Sequence, residues 1–393
     1  MATLPEPSQE QVAHSQQLQQ VIKAAIAEQG GQTGFDQYMA MALYQPGLGY
    51  YAAGAQKFGE AGDFITSPEV SPLFAQSLAR QVKQVFVELN QPVLIEFGAG
   101  SGILAADLLL ELEALNALPE AYWIIELSAE LQQRQQQSVQ KYCAHLADKV
   151  VWLQQLPEQP VNAVVIANEV LDAMPVVCFE KQLGELYQRT ICNDGDQFAW
   201  GQKIADEQLR SAITEIEASI DRPLAENYRS EFNPSVSPWL KSLNEIIDKG
   251  LVLLIDYGYD ASQYYSEERN MGTLMCYYRH RAHDDVFFYP GLQDITAFVD
   301  FTAVAEAALK ADFEVMGYTT QAQFLFGAGL PEIFENKMAD CSDDVKKQMH
   351  LSQQVKTLTL PGEMGEKFKV MALGRDIEPG LIGFSIADFR SRL

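Results

Sequence analysis

The sequence is poor in positive charge for its length. Its 393 residues contain 28 Lys and Arg against 53 Asp and Glu, which gives a formal net charge of −25. Phosphate binding depends on clustered Lys and Arg, so this balance argues against a nucleic-acid partner and against an anionic membrane surface. A cationic substrate or a basic protein partner suits such a negative field better.

Cysteine and long apolar runs are also scarce. The five cysteines are scattered and include no C-x-x-C pair, which argues against a disulfide framework or a zinc site and is typical of a reducing compartment. The longest strongly apolar runs, such as residues 251–255, are of strand length, whereas a membrane-spanning helix needs ~18 residues. The N-terminus has neither a signal-peptide core nor an Arg-rich transit pattern, so we expect a cytoplasmic protein without a membrane span.

Strand-length apolar runs alternate with helical segments from Val93 onward, which predicts a parallel, doubly wound α/β sheet. We predict helices at 9–29, 73–89, 103–115, 129–142 and 301–309, and strands at 93–97, 122–127, 150–153, 162–167, 251–255, 313–318 and 368–373. The predicted domains are an N-terminal helical and loop region at 1–90, a core at 91–175, 249–259 and 300–393, and insertions at 176–248 and 260–299. We expect the insertions to provide substrate or dimer contacts at the carboxyl edge of the sheet.

A glycine-rich turn, Glu96-Phe97-Gly98-Ala99-Gly100-Ser101-Gly102, follows the first strand of this pattern. Glycines let a ligand approach the backbone, and the helix behind them offers free N–H groups. The G-x-G-x-G spacing differs from the G-x-G-x-x-G of dinucleotide sites, and Glu126 after the second strand can accept both hydroxyls of a ribose. Together these features favour S-adenosylmethionine over a glycine turn that only packs helix against strand. The predicted cofactor-binding residues are Glu96, Gly98, Gly100, Gly102 and Glu126.

Longer motifs extend along most of the chain, namely Gly49-Tyr50-Tyr51, GDFITSPE at 62–69, IEFGAGSGILAADLL at 95–109, ANEVLDAMPV at 167–176, LLIDYGY at 253–259 and PGLQDITAFVDF at 290–301. On these motifs, from residue 38 to about 375, the sequence resembles the MidA-type class I S-adenosylmethionine-dependent methyltransferases, bacterial relatives of mitochondrial complex I assembly factor 7. The resemblance implies a Rossmann-like seven-stranded sheet with strands six and seven antiparallel, and S-adenosylmethionine at Gly98, Gly100 and Glu126. It also implies methylation of a protein arginine. Phe298 departs from the family, whose bacterial members often carry His there, so we expect no chemical role for this position.

The segment Asn168-Glu169-Val170-Leu171-Asp172 follows the fourth predicted strand, at the edge where α/β sheets bind ligands. One helical turn would place Glu169 and Asp172 on a common face. Paired carboxylates can grip a guanidinium bidentately and draw positive charge away from the attacking nitrogen. We therefore predict Glu169 and Asp172 as catalytic residues, with Asn168 against the cofactor. Acids that merely favour a helix N-terminus are the competing interpretation.

Three further candidates lie on other segments. Asp256 ends the fifth strand and is predicted as a third catalytic carboxylate, with a turn cap as the alternative. Thr66 and Ser67 precede the core and would close over the cofactor, although Ser67-Pro68 also has the pattern of a capped helix start. His280 and His283 do not predict a metal site, because arginines flank them and no cysteine is near.

The function favoured by these residues is methyl transfer to a protein, most specifically to an arginine, with S-adenosylmethionine as cofactor. A respiratory-complex subunit is one candidate partner, and a homodimer is compatible with the insertions. A catalytically weak assembly factor or chaperone that keeps the same fold is an alternative. An NAD-dependent oxidoreductase is less favoured, because the sequence has no Tyr-x-x-x-Lys and no G-x-G-x-x-G.

Overall fold

The computed structural model describes residues 4–53 and 66–393, which form two compact units. The sheet unit comprises Ile65–Leu171, Ser237–Gly258 and Val304–Leu393, and the accessory unit comprises Met1–Phe64, Asp172–Val236 and Tyr259–Ala303. Residues 62–65 of the GDFITSPE motif lie outside the described residues. Among the helices that are described, none has the length and apolar character needed to cross a bilayer.

The strands of the described chain are β1 Gln32–Gly34, β2 Val93–Phe97, β3 Ala121–Ile125, β4 Val150–Leu153, β5 Val161–Asn168, β6 Val177–Gln182, β7 Glu185–Asp194, β8 Gln197–Ile204, β9 Tyr228–Phe232, β10 Ile247–Tyr259, β11 Met275–Tyr278, β12 Arg281–His283, β13 Asp294–Thr296, β14 Val299–Asp300, β15 Glu314–Thr320 and β16 Phe368–Arg375. The helices are α1 Gln9–Glu28, α2 Phe35–Tyr44, α3 Ser67–Val70, α4 Pro72–Phe86, α5 Ile103–Ala114, α6 Ala129–Tyr142, α7 Glu207–Ser219, α8 Val236–Ile246, α9 Ala261–Tyr264, α10 Phe301–Lys310, α11 Gln321–Gly327, α12 Leu330–Asp340, α13 Val345–Thr359 and α14 Met364–Lys367.

Seven strands of the sheet unit lie in the order β15-β16-β10-β5-β2-β3-β4. Neighbouring strands are parallel along the run β10-β5-β2-β3-β4. Strand β16, in contrast, is antiparallel to both of its neighbours, β10 and β15. The predicted seven-stranded methyltransferase sheet, with its sixth and seventh strands antiparallel, is therefore confirmed. Because β2, β3, β5 and β10 run in one direction, their carboxyl ends meet at a single edge.

The centre of this sheet is buried from solvent. Leu94 and Ile95 on β2 and residues 163–167 on β5 are completely inaccessible to solvent, as expected for parallel strands that are covered on both faces. Helix α4, which the sequence pattern groups with the N-terminal region, buries its apolar face in the same core as α5. Its start is set by Ser71, whose side chain accepts the N–H of Leu73, followed by Pro72 at the first helical position.

The accessory unit is built on antiparallel strands. One sheet has the order β1-β7-β6-β9 with β8 beside β7, and a smaller one has the order β12-β11-β13. The Asp194-Gly195 turn signal is confirmed, since it joins β7 to β8 in register and Gly195 has a φ of +61°. The side chains of Ser8 and Gln11 form a capping box at the start of α1.

Glycine at position 250 is required by the pairing of β10 with β5. A Cβ at this position would overlap the carbonyl oxygen of Ala163 on the neighbouring strand. We expect Gly250→Ala to destabilise the protein by about 1–3 kcal/mol, because a backbone clash inside a sheet cannot be relieved by a side-chain rotation. Gly362→Ala is the matched control, since a Cβ there meets nothing within 4 Å, and its unfolding free energy should change by less than about 1 kcal/mol. Equal denaturant midpoints for the two variants would contradict this account.

Candidate active site

The glycine turn joins β2 to α5 in a conformation that other residues rarely adopt. Gly98, Gly100 and Gly102 have φ values of +64°, +53° and +79°, all in the left-handed region. Space is restricted as well, because a Cβ on Gly98 would lie 2.8 Å from Val170 Cγ2 and one on Gly102 would lie 2.8 Å from Gln135 Cα. The backbone alone demands glycine here, in addition to the ligand approach that the sequence suggests.

Gln135 on α6 connects the turn to the two neighbouring strands and was missed by sequence reasoning. This fully buried side chain donates from Nε2 to the carbonyl oxygen of Gly100 at 3.3 Å and to Glu126 Oε2 at 3.0 Å. Its Oε1 accepts the indole N–H of Trp152 at 3.0 Å. No local motif marks Gln135, because its partners come from three separate segments.

Glu126 lies directly after β3, at the predicted edge and only partly buried. Oε1 accepts the N–H of Ser128 at 2.8 Å, while Oε2 accepts from Gln135. Burial raises the pKa of the carboxyl, and these hydrogen bonds counteract that rise. Each carboxylate oxygen has two lone pairs, so Glu126 keeps acceptor capacity for a pair of ribose hydroxyls.

Glu96 takes a different position from Glu126. Its carboxylate is 2% exposed and accepts the hydroxyl of Tyr122 at 2.7 Å, between β2 and β3. Burial raises the pKa of Glu96 to about 7, partly offset by that hydrogen bond. The Glu96 carboxylate thus has its hydrogen-bond partner, Tyr122, inside the sheet. Contact between Glu96 and the cofactor remains a prediction.

The segment before α4 reaches the glycine turn through a glutamate. Ser101 in the turn donates its hydroxyl to Glu69 Oε1. Burial and then the charge of Glu69 raise the pKa of Asp107 on α5 to about 6, so a second carboxylate lies near Glu69. Sequence reasoning did not select Asp107 or Ser101.

Thr66 and Ser67 have defined structural roles. Ser67 is inaccessible and donates its hydroxyl to Gln321 Oε1 at 3.0 Å. Helix α3 begins at Ser67, so the N-cap is Thr66 rather than Ser67, and the Thr66 side chain makes no capping hydrogen bond. Their predicted closure over the cofactor stays a prediction.

Asn168 and Glu169 end strand β5 next to the glycine turn. Asn168 is 8% exposed, and its Oδ1 has no hydrogen-bond partner among residues 4–53 and 66–393. Its Nδ2 donates to Glu169 Oε1 at 3.3 Å. Glu169 has a φ of +54°, unusual for a residue with a side chain, while its N–H donates to the carbonyl oxygen of Ile255 at 2.9 Å. A strained residue at a ligand edge is typical of functional sites.

The predicted helical turn across Glu169 and Asp172 is wrong. These residues lie in a bend between β5 and β6, because the backbone of Glu169 is left-handed and a right-handed helical turn cannot include it. Asp172 belongs to the accessory unit, where it is 5% exposed and its carbonyl oxygen accepts the N–H of Ala297 at 3.0 Å.

Asp256 is the residue that holds this bend. It is inaccessible to solvent, and its two oxygens accept the N–H groups of Leu171 at 3.0 Å and Tyr257 at 2.9 Å. The turn-capping alternative for Asp256 therefore describes its observed contacts. Its carboxylate fixes the backbone that carries Glu169.

Two remaining sequence features lie in the accessory unit. Phe298 packs against the ring of Tyr259, with ring centroids 5.6 Å apart, which gives the departure from the family pattern a packing role. His283 lies on β12 and packs against Phe288, with the centroids of the two rings 5.4 Å apart. In the part of the chain that the structure describes, no group of three His, Cys, Asp or Glu side chains is placed to hold a metal.

Comparison with curated proteins finds relatives along most of the chain. The sequence is 28% identical over 366 residues to the mitochondrial protein arginine methyltransferase NDUFAF7 homolog of Caenorhabditis elegans, covering 86% of this chain and 82% of the relative. Identity to the protein arginine methyltransferase NDUFAF7 of Homo sapiens is 26%, covering 86% of this chain and 79% of that protein.

Solved structures from Burkholderia thailandensis match the whole fold. One, crystallised with S-adenosyl-homocysteine bound, is 40% identical with a TM-score of 0.93, and 100% of each chain is covered. A native structure from the same organism is 39% identical with a TM-score of 0.91, again over 100% of both chains. A family model described as "Putative S-adenosyl-L-methionine-dependent methyltransferase" matches residues 74–319, which include the glycine turn, Glu126 and Glu169. The chain belongs to this family of S-adenosyl-L-methionine-dependent methyltransferases.

Proposed function

We propose that this methyltransferase transfers the methyl group of S-adenosylmethionine to an arginine side chain of a protein. The observation that carries the proposal is Glu169, a carboxylate held in a left-handed backbone at the ligand edge, beside the glycine turn. The relatives that are named protein arginine methyltransferases support the choice of acceptor. The formal charge of −25 also suits a cationic acceptor.

The sheet unit has the features that the cofactor needs. Gly98 and Gly100, both left-handed and without side chains, would pass close to the amino-acid tail of the cofactor, and Glu126 has lone pairs for the ribose hydroxyls. The buried, unpartnered Oδ1 of Asn168 lacks a donor among the described residues, which a bound ligand would provide. The cofactor supplies a methyl group activated by its sulfonium.

The acceptor poses a separate problem, because a guanidinium is always charged in water and its nitrogens are poor nucleophiles. Glu169 would accept two N–H groups of the planar guanidinium and concentrate its positive charge away from the attacking nitrogen. Asp256 acts through the bend and is a positioning residue. Asp172, as a second carboxylate for the acceptor, remains part of the proposal.

The wider setting of the reaction is also proposed. The acceptor would be a protein, with a respiratory-complex subunit as one candidate, and the enzyme would act in the cytoplasm. The accessory unit would provide acceptor or dimer contacts. Mass spectrometry of arginine methylation in cells with and without the protein tests the acceptor class. Methylation confined to another residue type would refute the arginine proposal while leaving the methyltransferase in place.

Removal of the Glu126 carboxylate should weaken cofactor binding. We expect Glu126→Ala to lower the affinity for S-adenosylmethionine by about 10- to 100-fold, because a charged hydrogen-bond acceptor is lost. Glu120→Ala, an exposed glutamate just before the same strand, is the control and should bind as the wild type does. Isothermal titration measures both. If folded Glu126→Ala binds with wild-type affinity, the ribose contact is elsewhere.

The charge of Glu169 should matter for transfer and little for cofactor binding. Glu169→Gln is nearly isosteric, and we expect transfer to fall by about 10²-fold with cofactor affinity unchanged within a few-fold. Glu158→Gln, an exposed residue before β5, removes the same charge as a control. The readout is methyl transfer to an acceptor protein that the mass spectrometry of arginine methylation identifies, and a wild-type rate for Glu169→Gln would place the acceptor pocket elsewhere.

Glu169→Gly separates function from stability at the same position. Glycine adopts a φ of +54° without steric cost, so this variant should unfold at the same or a higher denaturant concentration than the wild type. Its transfer rate should nevertheless fall as in Glu169→Gln, because the carboxylate is gone. A marked loss of stability would show that the Glu169 side chain has a structural role instead.

A further inference from the structure

A polar pocket lies wholly within the accessory unit, at the start of α2 and α7 and beside strands β6 and β7. Its volume is about 470 Å³. Pockets of roughly 300–1,000 Å³ accommodate small ligands or single side chains of a partner. Five of its fifteen lining residues are glutamines, and we call this cavity the glutamine pocket after Gln29, Gln32, Gln37, Gln188 and Gln208.

Asp36 contributes a carboxylate to the glutamine pocket, and one of its two oxygens lacks a donor among the described residues. Asp36 Oδ1 is buried and has no hydrogen-bond partner within residues 4–53 and 66–393. Burial raises the pKa of Asp36, whereas backbone N–H groups of Gln37 and Asp36 and the charge of Lys203 oppose this rise. A buried acceptor without a donor is costly, so a donor from a ligand would relieve that cost.

Gly34 leaves room for this carboxylate. A Cβ on Gly34 would overlap Asp36 Oδ1 and lie 3.1 Å from the amide nitrogen of Gln188. The carboxylate oxygen and that amide therefore converge on one spot in the pocket. Gln188 is itself 8% exposed.

Two of the five amides, those of Gln37 and Gln32, are held by hydrogen bonds from threonines. Thr33 donates its hydroxyl to Gln37 Oε1 at 2.7 Å, and Thr190 donates to Gln32 Oε1 at 3.0 Å. Both threonines are almost completely buried, at 2% and 1% exposure. Amides that are fixed before binding lose little conformational freedom when a ligand arrives.

The charges of the pocket favour a cation. Of its two carboxylates, Asp206 accepts the N–H of Leu209 at 2.9 Å and caps α7, which leaves Asp36 for a ligand. Lys203 is the single basic residue of the lining and is exposed. Gln32 Oε1 and Gln37 Oε1 each keep a lone pair beside the threonine hydrogen bond, so with the Asp36 carboxylate the pocket has several acceptors for the N–H groups of a planar cation.

We propose that the glutamine pocket binds a guanidinium group, as carried by an arginine side chain of a peptide, with Asp36 Oδ1 as its charged acceptor. This site goes beyond methyl transfer: it needs neither the cofactor nor Glu169. It would give the enzyme a second point of attachment to a basic partner.

The test is isothermal titration of the full-length protein with L-argininamide, and with L-citrullinamide as a neutral analogue. We expect argininamide to bind at millimolar concentrations and citrullinamide about 10-fold more weakly, since it lacks the charge. Asp36→Asn should weaken argininamide binding about 10-fold. Asp194→Asn, an exposed aspartate in the same unit and outside the pocket, should leave it unchanged.

Lys203→Gln keeps the test decisive if Asp36→Asn folds poorly. It removes an exposed competing cation and should tighten binding of argininamide by about 2- to 5-fold at low salt. Absence of binding to the wild type, equal binding of citrullinamide, or unchanged affinity in both Asp36→Asn and Lys203→Gln would overturn the proposal.

Argininamide could also enter the acceptor site, so Glu169→Gln is titrated in parallel. Binding that persists in Glu169→Gln and falls in Asp36→Asn supports the glutamine pocket. Binding that falls in Glu169→Gln alone overturns it and assigns the ligand to the acceptor site. The affinity for S-adenosylmethionine should be equal in wild type and Asp36→Asn, which separates this proposal from that for methyl transfer.

Discussion

The buried amide of Gln135 is the interaction on which the cofactor edge of the sheet depends. It binds the glycine turn through the carbonyl oxygen of Gly100, the end of β3 through Glu126, and β4 through Trp152. Three carboxyl strand ends are thereby fixed relative to one another by one side chain. A buried amide with all of these partners orients them, whereas the loss of one would leave polar groups unsatisfied.

Four carboxylates at or near this edge differ by their surroundings rather than by their residue type. Glu96 is buried within the sheet, where its carboxylate accepts the hydroxyl of Tyr122, and burial raises its pKa to about 7. Asp256 is equally buried, but both of its oxygens bind backbone N–H groups and fix the bend after β5. Glu126 and Glu169 are only partly buried, and these two are the proposed binding groups for the cofactor and the acceptor. Burial and hydrogen bonding thus distinguish the enclosed acids of this edge from the two that the proposal assigns to ligands.

The left-handed backbone at Glu169 links the architecture to the proposed chemistry. The parallel pairing of β5 with β10 continues to Asn168, and the next N–H reaches across to the carbonyl oxygen of Ile255. The chain then turns away, with Asp256 binding the N–H of Leu171. Glycine would make this turn at lower cost, and the proposed function gives the glutamate side chain at this position its role as the acceptor-binding group.

The sequence by itself determined the seven strands of the central sheet, the glycine turn and the position of Glu126, because these features depend on local periodicity, on backbone sterics and on strand ends that parallel pairing brings to one edge. It did not determine the contacts between distant segments. The Gln135 network joins residues 100, 126 and 152, the bond from Ser101 to Glu69 spans 32 positions, and Asp256 reaches back to Leu171 over 85. The expected helical turn at 169–172 is absent because the backbone of Glu169 is left-handed, in a bend that Asp256 from another strand holds through the N–H of Leu171. Only tertiary structure decides which buried polar group meets which partner, since each such pairing is a requirement of the packed interior and not of the local chain.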